Sequence, residues 1–319
     1  MPPKTRPRRA VKADSAPKRA AEHGSTTKTD IDEEVKPAAD TSRNAEATDP
    51  IVTEYTLPYK TDKTISCHRY TSPDNTATKQ TSLVFTHGAG GGITDAATTG
   101  FARGYLAATT GSVVLFAGNM NLKHRIGCFT CVVTDCGSVE VLGGRSMGAR
   151  AAALTAKVYP DTTRALVLVS FPLVSAAAGG ESREELLLDV DGQIDVLFIS
   201  GDRDSMCDLK HLAAVRGKMK AKSWLVVVKG ADHGMSVRNK RGIDAVRQRT
   251  GQIAAAWAAS RDEQKTELEV AWDTDKNEVA AGSWREGVAR DGPRKQQAGR
   301  KRGGDDGQAP AKKRQKQKQ

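Results

Sequence analysis

Short apolar runs alternate with longer segments of mixed polarity along the middle of the chain, from Ile51 to about Ser260. Each run has four to six residues, mostly aliphatic or β-branched, and is bounded by Gly, Asp, Pro or Lys. Continuous hydrophobicity of this kind is typical of strands buried on both faces of a parallel sheet. The predicted strands are Ser82–Thr86, Ser112–Phe116, Val139–Leu142, Ala165–Ser170, Asp195–Ser200 and Ser223–Val228.

The segments between these runs have lengths suited to crossover helices. Their alternation with the apolar runs predicts an α/β fold with an open, doubly wound and mostly parallel sheet. An edge hairpin is expected earlier, from Val52 to Arg69, and a second, small hairpin later, around a turn at Thr274–Asn277. The predicted helices are Thr99–Ala108, Arg125–Val133, Gly148–Val158 and Leu209–Met219.

The two ends of the chain lack this periodicity. Residues 1–50 are rich in Lys, Arg, Ala, Asp, Glu, Thr and Pro, and residues 292–319 carry ten Lys or Arg against two Asp. The hydrophobic fraction of 38% and the mean hydropathy of −0.51 fit one ordered domain between polar segments. We therefore predict a disordered N-terminal segment (1–50), an α/β domain (51–260), a small hairpin extension (261–291) and a disordered basic tail (292–319).

The formal net charge of +11 indicates anionic partners or import machinery. In the basic tail, the clusters Arg300–Arg302 and Lys312–Lys316 fit the acidic grooves of a nuclear import receptor, so we expect a nuclear protein, with a cytoplasmic share as the alternative. The same clusters predict weak contact with nucleic-acid phosphates. The alternative is that the basic tail is only solvated and binds no partner.

No apolar run approaches the ~20 residues that cross a bilayer, and no apolar core follows the basic N-terminus. We therefore expect neither a membrane partner nor a secretory signal. The five cysteines are then expected to be reduced thiols.

The pentapeptide at 144–148 reads Gly-Arg-Ser-Met-Gly and follows the predicted strand Val139–Leu142. A sharp strand-to-helix turn requires small residues two before and two after its central residue, and the G-x-S-x-G pattern meets this requirement. The turn raises the hydroxyl of Ser146 above the sheet edge, at a helix N-terminus that favours a developing anion. We predict that Ser146 is a nucleophile; the alternative is a serine that only caps the helix.

A glycine-rich loop at 87–92 follows the predicted strand Ser82–Thr86. Its backbone can approach a ligand closely and direct N–H groups at it. We expect Gly88 and Ala89 to contribute to an oxyanion hole, together with the N–H of Met147 after the nucleophile. A phosphate cradle or a simple turn is the alternative, although no Gly-Lys-Ser/Thr of a Walker loop follows.

Two further strand ends complete the order Ser, Asp, His that this fold uses. Asp204 follows the strand Asp195–Ser200 and is the predicted acid, with Asp202 as the alternative; either is otherwise a turn residue that bonds its own backbone. His233 follows the strand Ser223–Val228 and is the predicted base. His233 would take the proton of Ser146 during attack on an acyl carbon, and Asp204 would hold the imidazole.

The cysteines and arginines of the domain indicate a function less clearly. Cys128 and Cys131 form a C-x-x-C pattern, but the apolar spacing around them predicts a helix in which they pack, and no fourth zinc ligand has suitable spacing. We expect no metal and no cofactor. Arg125, Arg145 and Arg150 favour either an anionic substrate or pairing with local carboxylates, and pairing is the preferred interpretation.

Three stretches, at 85–91, 143–152 and 230–234, resemble a group of small α/β-hydrolase-like proteins. That group includes a testis-expressed member and the third regulatory subunit of the non-specific-lethal histone acetyltransferase complex. The resemblance covers about residues 51–260 and implies an α/β-hydrolase fold without a large lid. It also implies nucleophile, acid and base roles for Ser146, Asp204 and His233. Some members serve as subunits of protein complexes.

Two functions follow from these observations. We favour a serine hydrolase that cleaves an ester, thioester or related acyl bond of a small substrate, because all three triad groups are present in order. The alternative is a catalytically silent scaffold or subunit of a nuclear complex, since the same fold hosts both.

Overall fold

The computed structural model describes residues 49–76, 80–159, 161–176 and 180–287. The disorder predicted for residues 1–50 and 292–319 therefore lies outside the described residues, apart from residues 49 and 50. Residues 288–291 of the predicted hairpin extension and both basic clusters of the tail also lie outside them. Within the described part, no helix is long and apolar enough to cross a membrane.

One mixed sheet of eleven strands runs through the described residues, in the order β1-β2-β4-β3-β5-β6-β7-β8-β9-β10, with β11 also paired to β9. Neighbours from β4 to β9 in this order are parallel, whereas β1, β2, β10 and β11 pair antiparallel. The strands are β1 (Ile51–Tyr59), β2 (Lys63–Thr71), β3 (Thr81–Thr86), β4 (Ser112–Phe116), β5 (Val141–Arg145), β6 (Ala165–Val169), β7 (Asp195–Gly201), β8 (Ser223–Val228), β9 (Lys265–Asp273), β10 (Glu278–Ala281) and β11 (Arg285–Glu286).

The central strands are buried along almost their whole length, as their continuous apolar runs predict. Strand β5 differs most from its predicted bounds, because it begins two residues later and extends through the glycines to Arg145, whereas β3, β6 and β7 differ by one residue. A Cβ at Gly143 would lie 2.9 Å from the carbonyl oxygen of Val167, so this glycine lets β5 pass close to β6. The strand then ends at the predicted strand-to-helix turn of residues 144–148, called the elbow below.

Helices cover both faces of the sheet and enclose two separate apolar cores. One core lies under α2, α3, α4 and α5, and the other lies under α1 and α6. The predicted mostly parallel, doubly wound α/β fold is therefore confirmed. The α-helices are α1 (Ala96–Leu106), α2 (Leu122–Cys136), α3 (Met147–Ala156), α4 (Glu184–Leu188), α5 (Leu209–Lys218) and α6 (Lys240–Ala259).

Helices α1 and α6 cross at glycines. A Cβ at Gly104 would lie 1.9 Å from the carbonyl oxygen of Gln248, and a Cβ at Gly251 would lie 2.2 Å from that of Phe101. Side chains at these two positions would force the helices apart. Helix α6 follows the loop of residues 229–239, which carries His233.

The described part of the predicted hairpin extension (261–291), residues 261–287, contributes to the main sheet. β9 and β10 pair antiparallel around residues 274–277, and β9 also runs parallel to β8. Leu268 and Val270 of β9 are buried in the core under α1 and α6. The bounds proposed for the domains remain predictions.

Candidate active site

Ser146 lies between the carboxyl end of β5 and the first residue of α3, at φ 52°. This left-handed conformation is strained for a serine and is stabilised by tight packing around the turn. A Cβ at Gly144 would lie 2.3 Å from the carbonyl carbon of Gly148, and a Cβ at Gly148 would lie 2.4 Å from the carbonyl oxygen of Thr86. Both glycines of the pentapeptide are therefore required by the turn.

The hydroxyl of Ser146 faces His233 rather than the helix that follows. Its Oγ lies 2.8 Å from Nε2 of His233, and it makes no capping hydrogen bond to α3. The geometry of a serine that only caps the helix is thus absent at this described residue.

Asp204 contacts the other nitrogen of the same imidazole. Its carboxylate oxygens lie 3.0 and 2.9 Å from Nδ1 of His233, and one of them also accepts the N–H of Met206 at 2.8 Å. The Asp204 side chain is fully buried, whereas that of His233 is 24% exposed. With a carboxylate as acceptor, Nδ1 carries the imidazole proton, and the lone pair of Nε2 faces the Ser146 hydroxyl.

Asp202, the alternative acid, has other partners. Its carboxylate pairs with Lys229 at 2.9 Å and accepts the N–H of Gly230 at 2.6 Å. These contacts tie the end of β7 to the loop after β8. Asp202 supports that loop from outside, and Asp204 is the residue that meets His233.

Two of the three predicted oxyanion residues, Gly88 and Met147, lie beside Ser146. A Cβ at Gly88 would lie 3.6 Å from Cβ of Ser146, so the loop after β3 approaches the elbow closely. Met147 is the first residue of α3, and the helix makes its first backbone bond from the N–H of Arg150 to the carbonyl of Ser146. The N–H of Met147 precedes that bond and is left unused by the helix.

The sequence did not predict the position of Arg125, which lies near the site. It projects from α2, is fully buried, and donates to carbonyls of the loop after β3 and of the loop after β4. The expected pairing with a carboxylate is wrong for this residue, because its hydrogen bonds end on main-chain oxygens. Burial lowers the pKa of Arg125 to about 10.

His87 joins the same two loops. Its Nδ1 lies 2.7 Å from the carbonyl oxygen of Gly88, and its Nε2 accepts the N–H of Gly118 at 3.0 Å. These contacts fit a neutral imidazole with its proton on Nδ1. Burial, followed by the charge of Arg125, holds the pKa of His87 below its usual value.

Arg145 and Arg150 flank the elbow. Arg145 donates to the carbonyl of His233 at 3.1 Å, and burial lowers the pKa of both arginines. For Arg145, the nearby charges of Asp95 and Asp232 act in the opposite direction to burial. The guanidinium of Arg145 thus helps to fix the loop that carries His233.

The C-x-x-C pair lies on α2, as its apolar spacing predicts. Cys128 is buried and Cys131 half-buried, and both thiols are free. Burial raises the pKa of Cys128 to about 11, so its thiol is a poor nucleophile at neutral pH. Among the described residues, no group of three or more His, Cys, Asp or Glu side chains is arranged to hold a metal ion.

The sequence matches a family model described as an alpha/beta hydrolase domain over residues 120–260. The matched range begins just before α2 and ends just after α6, so it contains Ser146, Asp204 and His233.

Solved structures with a similar fold include three esterases. Est1E from Butyrivibrio proteoclasticus is 14% identical, with 65% of this chain and 99% of that chain covered and a TM-score of 0.51. The esterase domain of a Rhodothermus marinus protein is 15% identical, with coverages of 65% and 98% and a TM-score of 0.51. The Pyrobaculum calidifontis esterase is 16% identical, with coverages of 66% and 86% and a TM-score of 0.51. At such low identity the likeness is one of fold, and the chain has the α/β-hydrolase fold.

Proposed function

We propose that this protein is a serine hydrolase that cleaves an ester, thioester or related acyl bond of a small substrate. The observation that supports it is the continuous hydrogen-bonded series from Asp204 through His233 to the Ser146 hydroxyl. A nucleophile, a base and a group that orients the base are the parts that acyl transfer by serine requires. The alpha/beta hydrolase family match adds support for a hydrolase in general.

In the proposed reaction, Nε2 of His233 takes the Ser146 proton while Oγ bonds to the acyl carbon. The resulting tetrahedral oxyanion is stabilised by N–H groups of Gly88, Ala89 and Met147. The carbon–oxygen or carbon–sulfur bond to the leaving group then breaks, and His233 returns the proton to that group. A water molecule repeats the sequence on the acyl-enzyme, releases the carboxylic acid and restores Ser146.

Asp204 has a supporting role in each of these steps. Its buried carboxylate holds the proton on Nδ1 of His233 and stabilises the imidazolium that forms when Nε2 takes the serine proton. No metal or cofactor is needed for this chemistry.

The proposal is tested by labelling the full chain with a fluorescent fluorophosphonate probe. We expect labelling of the wild type, none of Ser146→Ala, and unchanged labelling of Ser205→Ala, a control at an exposed serine on a neighbouring turn. Ser205→Ala shows that loss of one hydroxyl near the site does not abolish labelling. Equal labelling of Ser146→Ala and wild type would contradict the proposal.

We further propose nuclear delivery through the basic clusters Arg300–Arg302 and Lys312–Lys316, which fit an import receptor. A role within a nuclear protein complex, in place of or besides catalysis, rests on these clusters and on the resemblance described above. Alanine replacement of both clusters in a fluorescent fusion should reduce nuclear accumulation. A mutant that stays as nuclear as the wild type would contradict this proposal.

A further inference from the structure

We propose that Arg125 is a positioning residue that fixes the direction of the Gly88 and Ala89 N–H groups for oxyanion stabilisation. The inference rests on the proposed hydrolase function. It gives a function to the buried guanidinium of Arg125, which is not part of the triad.

The contacts of Arg125 join two loops at the carboxyl edge of the sheet. Its Nη1 donates to the carbonyl oxygen of His87 and, at 3.4 Å, to that of Gly88. Its Nη2 donates to Gly118 at 2.7 Å and to Asn119 at 2.8 Å, and Nε donates to Asn119 at 3.1 Å. One guanidinium thus holds four carbonyl groups, two from each loop.

Because the peptide bond is planar, holding a carbonyl group also fixes the direction of the N–H group in the same peptide. In a trans peptide, the C=O of one residue and the N–H of the next point in opposite directions. Arg125 holds the His87 and Gly88 carbonyls on its own side of the loop. The N–H groups of Gly88 and Ala89 must therefore point away from Arg125, and these are the two loop donors of the proposed oxyanion hole.

His87 fixes the second of these peptides independently. Its Nδ1 lies 2.7 Å from the Gly88 carbonyl oxygen, and its Nε2 is anchored on the N–H of Gly118. The peptide that carries the Ala89 N–H is thus held by two side chains, Arg125 and His87, which both contact its carbonyl oxygen. Gly88 itself is buried beside Ser146, since a Cβ there would lie 3.6 Å from Cβ of the serine.

The chemistry of the guanidinium explains why arginine occupies this position. A buried cation is costly unless its donors are satisfied, and this one is satisfied by carbonyls without a carboxylate. A lysine ammonium has three donors on a flexible stem and cannot span the same planar set. Arg125→Lys therefore keeps the charge but loosens the loop.

The test compares the full-length wild type with Arg125→Lys and with Arg216→Lys as a matched control. Arg216 is also buried, at 3% exposure, but its guanidinium contacts Ser223 and Glu267, at the opposite edge of the sheet. Steady-state hydrolysis of p-nitrophenyl acetate is measured below the melting temperature of each variant. We expect Arg125→Lys to lower kcat about a hundredfold with little change in KM, the effect typical of a lost oxyanion donor. Arg216→Lys should retain the wild-type kcat.

A spectroscopic readout separates positioning from general damage. The carbonyl stretching band of a 13C-acetylated Ser146 reports the hydrogen bonds that the acyl oxygen receives. We expect this band at higher frequency in Arg125→Lys than in the wild type and unshifted in Arg216→Lys. An unshifted band in Arg125→Lys, or an unchanged kcat, would overturn the inference.

Hydrogen exchange distinguishes failure of this inference from failure of the proposed function. In Arg125→Lys, the peptide covering residues 87–92 should exchange faster than in the wild type, whether or not Ser146 reacts. Faster exchange with no wild-type adduct would refute the hydrolase and the oxyanion role together, while unchanged exchange would refute Arg125 alone. If Arg125→Lys does not fold, His87→Gln removes the other support of the Gly88 carbonyl and should shift the same band in the same direction.

Discussion

Ser146 occupies a backbone conformation that its neighbours leave no room to change. The turn depends on the absence of side chains at Gly144 and Gly148, where an added Cβ would overlap main-chain atoms. The strain at φ 52° is thus held by close packing of β5, α3 and the strand end at Thr86. This packing presents the hydroxyl to His233.

Gly148→Ala should damage both the turn and the fold. The new Cβ would lie 2.4 Å from the Thr86 carbonyl oxygen, so the elbow must shift, and we expect a loss of about 1–3 kcal/mol of unfolding free energy. Urea denaturation measures this change, and fluorophosphonate labelling should fall with it. Gly217→Ala is the control, because its Cβ meets nothing within 4 Å in the helix α5, where alanine should slightly stabilise.

Asp204 and Asp202 offer a matched pair on one turn. Asp204→Asn should lower kcat about a thousandfold or more, because the imidazole tautomer is no longer fixed. Asp202→Asn loses the ion pair with Lys229, but its amide oxygen can still accept the N–H of Gly230. This variant should retain kcat within about tenfold, since the loss of a partly exposed ion pair perturbs the loop little. Ester hydrolysis at pH 7.5 measures both. Equal losses in the two variants would contradict the assignment of the acid.

At this scale, the sequence predicts the triad residues but not what supports them. Ser146, Asp204 and His233 follow strands whose apolar runs are visible, and their order along the chain is diagnostic. Arg125 is different, because its partners are carbonyls of two loops that only the fold brings together. A carbonyl has no sequence signature, so a buried arginine appears as an unpaired charge until the structure is known.

The proposed oxyanion hole depends on the loop after β3, and His87 holds that loop to the loop after β4 through hydrogen bonds. The imidazole bridges the Gly88 carbonyl and the Gly118 N–H while buried near Arg125. Protonation of His87 would remove its acceptor and place two cations together. Folding therefore disfavours a second proton on the His87 imidazole.

The stability of the protein should consequently fall in mild acid. The pKa of His87 is lowered in the folded state, so below about pH 6.5 the unfolded chain binds a proton that the folded chain does not. The free energy of unfolding then decreases as pH drops, by up to about 1.4 kcal/mol per pH unit. Urea denaturation between pH 7.5 and 5.5 should show a steeper loss for wild type than for His87→Gln. Parallel pH profiles would refute this role.

Among the elements, strands were easier to predict than their boundaries. The runs at 112–116 and 223–228 match β4 and β8 without a shift, because buried parallel strands are continuously apolar. Strand β5 is displaced toward the elbow, since its last residues are two glycines and an arginine that carry no strand propensity. Their extended conformation follows from pairing with β6.

At the scale of the described chain, the sheet continues past residue 260 into strand β9. β9 continues the sheet beside β8 and buries Leu268 and Val270 in the core. The short hairpin pattern is visible in the sequence, but its parallel pairing with β8 is a long-range contact that local periodicity does not encode.

Truncation tests this contribution of β9. A chain of residues 49–260 should melt at a lower temperature than one of residues 49–287, because the edge of β8 loses its partner and apolar side chains of the core become exposed. Thermal unfolding by circular dichroism compares the two. Identical melting temperatures would show that the sheet does not depend on β9.

The central claim, that Ser146 is the acyl-accepting nucleophile, is tested most directly by trapping the acyl-enzyme. The full chain is mixed with p-nitrophenyl acetate, quenched in acid within the first turnover, digested with trypsin and analysed by mass spectrometry. Cleavage after Arg145 and Arg150 releases the peptide 146–150, in which Ser146 is the sole hydroxyl side chain. We predict acetylation of this peptide in the wild type and little in His233→Gln. Ester hydrolysis without any acyl group on this peptide would contradict the account.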